Sequence, residues 1–407
     1  MESGSVNGHR GPAVVSLVLA NAILAISQAN IASIYLPLSL DFHQTLYGLG
    51  LLTSVYFVGY GLFEIPGSIL AAKVGPKSLV VAGGALNALS IAACAASPSF
   101  QLLVLFRTLA GVGYGLFFPP AIVIVIRKLG DRAAGLGASL NIIAFSIGGA
   151  SGIFGWSVLS ALAGWRPSLA VEFVITLGAM IAVSLIVPGE KLDPGFAIKL
   201  SHLKEIASEK ATLALALSVF GGGAAANLTG SFLVYYFEQS FAMAPAEAGL
   251  LGTGTFVAPM FTSLLAGRLY DRGFSVKFLL GAASLAITLG TAVVAYPSVY
   301  AALVGSIVAG LAVGAGGTAA FSLARDLSSM REYESLNVSL VDAASLGGLF
   351  LSPLYFSAIA TSYGYPLAWA VGGVTAVVFV VPLLLVKMAK RTTDPHPASA
   401  ARQANRN

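Results

Sequence analysis

The stretch GLLTSVYFVGYGLFEIPGSILAAKV, Gly50 to Val74, lies without a gap over GLLGTGTFVAPMFTSLLAGRLYDRG, Gly249 to Gly273, at an offset of 199 residues. Gly-Leu-Leu opens both, Phe57-Val58 falls on Phe256-Val257, and Leu70 falls on Leu269. The same offset carries Ala110-Gly111 onto Ala309-Gly310 and Gly148 onto Gly347. AGWRPSLA (Ala163 to Ala170) falls over YGYPLAWA (Tyr363 to Ala370) at an offset of 200. A period of half the chain means two structural copies joined end to end.

Composition tells what is copied. The 407 residues are 57% hydrophobic and 10% charged, with a mean hydropathy of +0.86. A soluble domain carries about 25% charged residues, so the chain belongs with membrane proteins. One cysteine, Cys94, cannot form an internal disulfide. The first apolar run, 13–38, is longer than the roughly 7–15 residues of a signal-peptide core and reads as a retained span.

Crossing the hydrocarbon core takes about 20 apolar residues. Twelve such runs are present: 13–38, 46–72, 79–97, 101–126, 135–161, 167–187, 211–236, 246–270, 276–296, 298–323, 334–359 and 365–387. They are too long and too uniformly apolar for barrel strands and are therefore helices. With the N-terminus in the cytoplasm, 20 of the 22 Lys and Arg fall in the cytoplasmic segments, which is the bias that sets orientation. Only Arg166 lies outside and Arg107 within the membrane on this map. The net charge of +5 is then a consequence of topology, not a nucleic-acid footprint. The expected organisation is all-α: a six-helix bundle (1–187), a cytoplasmic linker (188–210), a second six-helix bundle (211–390) and a disordered tail (391–407). Parallel repeats of this kind suit a transporter that holds its substrate between the halves.

Several motifs carry a resemblance to the major facilitator superfamily over the full length. That family's turn after the second span reads G-x-L-A-D-R-x-G-R-K. Here Ser68 to Lys77 keeps Leu70, Ala71, a base at Lys73, Gly75 and Lys77, with Ala72 at the acidic place. The second copy keeps Gly267, Leu269, Asp271 and Arg272, with the later glycine displaced to Gly273. The fourth-span motif R-x-x-x-G-x-G is complete in Arg107, Gly111 and Gly113. The family's antiporters carry G-x-x-x-G-P in the fifth span; Gly148 and Gly152 are present, but Ile153 replaces the proline. The resemblance implies twelve helices in two pseudo-symmetric bundles, a small organic solute moved by alternating access, and coupling to protons. It also implies a monomer in the plasma membrane with both termini cytoplasmic, no cofactor and no enzymatic activity. The missing proline and Arg107 favour an organic anion as substrate. The alternative is a drug/proton antiporter exporting lipophilic compounds.

An ionisable group at the bilayer centre costs roughly 2.5–3.5 kcal/mol, so the few present need a reason. Arg107 and Tyr114 share one face of the fourth span. Arg107 reads as an anion receptor, a regulator of a nearby acid, or half of a structural ion pair. Tyr56, Tyr60 and Glu64 form a stripe at i, i+4, i+8 that ends in an acid. Glu64 and Asp342 are the proton-carrier candidates, with a hydrated or loop-paired Glu64 as the other reading. Glu172 reads as a charge at the outer rim. Asn21, Gln28 and Tyr35 recur every seven residues on the first span. Gln28 maps onto Asn227, which shares a stripe with Ser231 and Tyr235. These amides read either as cavity-lining groups or as interhelical hydrogen bonds. Substrate-binding candidates are therefore Asn21, Gln28, Tyr35, Tyr60, Arg107, Tyr114, Asn227 and Tyr235. The charged turns, with Lys73, Gly75, Lys77, Asp271 and Arg272, read as a cytoplasmic gate. There an acid can sit at a neighbouring helix N-terminus, and the latch is asymmetric because Ala72 stands where Asp271 stands.

Overall fold

The computed structural model describes residues 10–129, 134–189, 208–327 and 334–387. The expected linker, apart from its two ends, and the expected tail lie outside them. Twelve helices among the described residues are long and apolar enough to cross a membrane, one for each run read from the sequence. They are called the first to twelfth spans here.

Two spans are broken, each for a local reason. The first runs Arg10–Ser33 and resumes as Tyr35–Phe42. Pro37 lacks an N–H and its ring crowds the carbonyl of Ser33, which ends the regular ladder there. The eighth runs Pro245–Gly252 and Gly254–Asp271, parting at Gly252-Thr253-Gly254, where a glycine on each side weakens the helix.

The repeat extends into backbone detail. The first and seventh spans both end on a left-handed residue, His43 (φ 51°) and Ala242 (φ 50°), and these positions are 199 apart. The sixth and twelfth spans both start after a glycine with positive φ, Gly164 (91°) and Gly364 (88°). A side chain there would be strained, which explains why the turns GW and GY keep the glycine.

Within the first half, spans 1 and 5, 2 and 4, 3 and 4, and 3 and 6 pack together; within the second half, 7 packs on 11 and 12, 8 on 10, and 9 on 10 and 12. Glycine makes the closest of these contacts possible. A Cβ on Gly111 would lie 2.0 Å from the Tyr56 carbonyl oxygen, and one on Gly314 would lie 2.2 Å from that of Pro259. The halves meet along two seams, span 2 on span 11 and span 5 on span 8.

An even number of crossings puts Arg10 and Lys387 at one end, the terminal end; the other is the distal end. At the distal end the halves share one apolar core, with Tyr35, Leu38, Leu49 and Leu52 packed with Phe232, Phe237, Phe356 and Trp369. Toward the terminal end there are two further cores: one is built around Leu17, Tyr114 and Val183 of the first half and takes in Leu346 of the eleventh span, and the other, around Leu215, Tyr270 and Leu383, lies within the second half. Large apolar side chains also cover the outside, such as Leu162, Leu185 and Leu385. Hydrocarbon is as apolar as leucine, so this surface carries no penalty in a bilayer.

Polar ties fix the ends of the helices. At the distal end Arg166 donates to Asp41 (2.8 Å) and to the Ser97 carbonyl (3.1 Å), and lies over the Trp165 ring. At the terminal end Lys277 donates to the carbonyls of Leu384 and Val386, which the last helix turn leaves without helical partners.

Candidate functional site

The second span presents Tyr56, Tyr60 and Glu64 on one face because glycine lets that face approach its neighbours. A Cβ on Gly59 would lie 2.2 Å from the Thr108 carbonyl oxygen, and Gly61 faces Leu346 of the eleventh span. One turn beyond, Glu64 is 5% exposed. Its carboxyl group lies beside the Asp342 carboxyl group of the eleventh span, close enough for the two to interact electrostatically. The Glu64 Oε2 atom is buried without a partner. Two acids from different halves thus meet at a seam between the halves.

A set of aromatic and polar contacts lies in the first half beside this pair. The Tyr60 ring packs edge-on against Tyr114, with centroids 4.9 Å apart. The Tyr114 hydroxyl donates to Asn21 Oδ1 at 3.2 Å. Asn21 Nδ2 in turn donates to the backbone and side-chain oxygens of Asn141, at 3.3 and 3.2 Å. Spans 1, 2, 4 and 5 are joined in this way beside the carboxyl pair.

Arg107 is 2% exposed and lies inside the first half. Its Nη1 donates to the Ser27 carbonyl at 2.8 Å, and its guanidinium sits 4.6 Å from the Tyr56 ring centroid. Its Nε and Nη2 atoms are buried without partners. Glu172 lies within electrostatic reach of it and accepts a hydrogen bond from Asn30. Glu172 does not sit at the expected rim: the residue is 0% exposed, because its face of the sixth span turns toward spans 1 and 3.

The other candidates are distributed. Tyr35 belongs to the distal seal: its hydroxyl meets Thr53 Oγ1 at 2.5 Å, and its ring packs on Phe232 and Tyr235 of the seventh span. Asn227 spends its amide on the Leu349 carbonyl (3.1 Å) and Ser352 Oγ (3.2 Å), an interhelical bond to the eleventh span. Gln28 is half-buried, and its Oε1 has no partner. At the terminal end Lys73 and Arg272 are exposed and Lys77 is half-buried. The turns beside them close on Gly75 (φ 93°) and Gly273 (φ 84°).

The sequence reading missed Asn141, Asn30 and Glu238. Both amides sit in apolar helices with no charged neighbour to draw attention. Glu238 is 6% exposed, with both carboxyl oxygens unpartnered; its place in the last turn of the seventh span resembles a boundary residue.

Two six-helix bundles with polar groups buried at and beside their seam define a membrane transport scaffold. The chain matches the family model of the Major Facilitator Superfamily over residues 17–226 and 213–406, and it belongs to that family. It acts by transport, as a secondary active carrier working by alternating access. It is 28% identical over 197 residues to the methylenomycin A resistance protein of Bacillus subtilis, covering 46% of this chain and 41% of that protein. It is 24% identical over 390 residues to the MFS-type transporter YceJ of Bacillus subtilis, covering 88% and 91%. With the multidrug resistance protein MdtH of Aeromonas salmonicida it shares 32% identity over 168 residues, 40% of each chain. The matches to the two resistance proteins thus span less than half of those relatives. Among solved structures, a bacterial homolog of the human lysosomal transporter Spinster, inward-facing and unoccupied, superposes with a TM-score of 0.75 at 18% identity, covering 92% of this chain and 95% of that one. The nucleoside transporter NupG superposes with a TM-score of 0.78 at 13% identity, covering 91% and 99%.

Proposed function

We propose that this protein is a proton-coupled exporter of lipophilic, preferentially cationic, organic compounds. The observation that carries the reading is the placement of charge. The acids Glu64 and Asp342 lie where the halves meet, whereas Arg107 is enclosed in the first half, engaged with Ser27 and Tyr56. A substrate held between the halves would meet carboxyl groups and aromatic rings, which suit a cation. The relatives named for resistance to methylenomycin A and to multiple drugs support the same class.

The organic-anion reading rested on the missing proline at Ile153 and on Arg107, and both supports weaken. Gly148 and Gly152 pack on the first span at the Ala22 and Ile26 carbonyls with no proline required. Ile153 itself packs against Gly252 across the seam. Protons couple through the carboxyl pair in this proposal. Two carboxylates in contact repel, and one shared proton turns the contact into a hydrogen bond. A proton therefore holds spans 2 and 11 together, and its loss leaves two carboxylates that repel each other and attract a cationic substrate. The Lys and Arg bias supports a cytoplasmic terminal end, and with that orientation a shared core at the distal end corresponds to a state closed to the outside.

The test is a thermal-shift panel on purified protein, wild type and Arg107→Ala, with lipophilic cations and small carboxylates. A ligand stabilises the state that binds it in proportion to RT ln(1 + [L]/Kd). Concentration-dependent shifts with cations in both proteins support the proposal. Shifts with carboxylates that vanish in Arg107→Ala would restore the organic-anion reading.

A further inference from the structure

Arg107 and Glu172 are both almost fully enclosed, at 2% and 0% exposure, yet they do not pair directly. Each is held by the first span instead. Arg107 Nη1 donates to the carbonyl of Ser27, and Asn30 Nδ2 donates to Glu172 Oε2. Ser27 and Asn30 are three residues apart, on one face of that helix. Arg107 Nε and Nη2 and Glu172 Oε1 are left without partners. Nε and Nη2 form one edge of the guanidinium, the edge that takes a carboxylate in a two-point grip. A direct Arg107–Glu172 pair would satisfy all three stranded atoms at the expense of the Asn30 bond. Buried polar atoms without partners are costly, so the direct pair is an alternative arrangement with a driving force of its own.

We infer that Glu172 is a positioning residue for the first span: protonated, it stays on Asn30 and clamps that helix; ionised, it moves onto Arg107 and releases it. A neutral acid gains little from the guanidinium, and a carboxylate gains a charge-assisted pair. The first span also carries Asn21 and Tyr35, so its release reaches both the network beside the carboxyl pair and the distal seal. The ionisable groups around Glu172 are Arg107 of the fourth span, Tyr56 of the second and Cys94 of the third. The fifth span contributes no ionisable side chain within Ala134–Ala163. The inference rests on the transport cycle of the family and not on the substrate class.

The test uses full-length protein in lipid with Cys94→Ala, nitroxide labels at Gly11→Cys and Arg127→Cys, and pulsed electron spin resonance distances across a pH series. Glu64→Gln and Asp342→Asn are included so that the seam does not contribute. The distance distribution should shift between two populations with pH. Glu172→Gln should hold it in the clamped population at every pH. Asn30→Ala should favour the other population by about fivefold, the scale of one net hydrogen bond. A distribution that ignores pH before Glu172 is altered, or that keeps its pH shift in Glu172→Gln, overturns the inference. Should Glu172→Gln not fold, Asn30→Ala decides: an unchanged distribution counts against it. Proton-coupled export is read by transport assays, so either idea can fail alone.

Discussion

Glu64 and Asp342 stand on helices of different halves, and their carboxyl groups meet at the seam between spans 2 and 11. Any motion that parts the halves there must break this contact, and any change in its protons changes the energy of that motion. In the proposed mechanism, coupling therefore needs no long relay.

Substituting either acid should uncouple transport. Glu64→Gln and Asp342→Asn each keep the shape and remove the exchangeable charge. Transport driven by a pH gradient in proteoliposomes should fall by about tenfold or more, roughly the 1.4 kcal/mol or more that the altered contact represents. Binding of a lipophilic cation should weaken less than transport does. Full gradient-driven transport in both variants would remove the pair from the mechanism.

Opening the distal seal is a separate matter. Tyr35 joins the halves through Phe232 and Tyr235 and bonds Thr53. Truncating a fully buried aromatic ring costs about 3–5 kcal/mol of packing. Tyr35→Ala should therefore shift the protein toward distal opening. A cysteine at Thr53 should react about tenfold faster with an impermeant thiol reagent in that background, equivalent to some 1.4 kcal/mol. An unchanged rate would show that the seal does not depend on Tyr35.

The glycines of the fourth-span motif are packing groups. Gly111 touches the second span's backbone at Tyr56, where an added Cβ would lie 2.0 Å from the carbonyl oxygen. Backbone cannot give way as a side chain does, so Gly111→Val should destabilise by about 1–3 kcal/mol or more. A lowered melting temperature in detergent checks this. Gly155→Ala, with nothing within 4 Å, is the matched control.

Restoring the acid at the first charged turn should bias the cycle. Ala72→Asp supplies the group that Asp271 supplies in the second copy. An acid at a neighbouring helix N-terminus contributes about 0.3–1 kcal/mol, enough to change a population ratio about two- to fivefold. Spin-label distances across the terminal end should shift toward closure. Identical distributions in the variant and wild type would sink the latch.

Much of this architecture was legible in the residues, because hydrocarbon imposes a simple rule. Every span must be apolar and helical, so its length and its basic flanks can be read directly. The offset between Gly50 and Gly249 revealed the two copies, and the backbone repeats it at His43 and Ala242. The candidate site was legible only in part. Glu64 and Asp342 were visible as rare acids, but their meeting across the seam depends on how the halves dock, which no local pattern encodes. Arg107 was visible too, yet the groups around it, Ser27 and Glu172, come from helices distant in sequence. Glu172 read as a rim charge because its distance from the helix end was plain and the direction of its face was not. Asn30 and Asn141 gave no signal at all: a lone amide in an apolar helix looks the same whether it faces lipid, a neighbour or a substrate.

The most direct test of the central claim is exchange in proteoliposomes with an acidic lumen and an internal pH indicator, on adding a quaternary-ammonium dye outside. The account predicts that the dye accumulates while the lumen becomes more alkaline, and that both signals disappear in the Glu64→Gln, Asp342→Asn double variant. Dye accumulation with no proton movement, or with the same proton movement in the double variant, would contradict it.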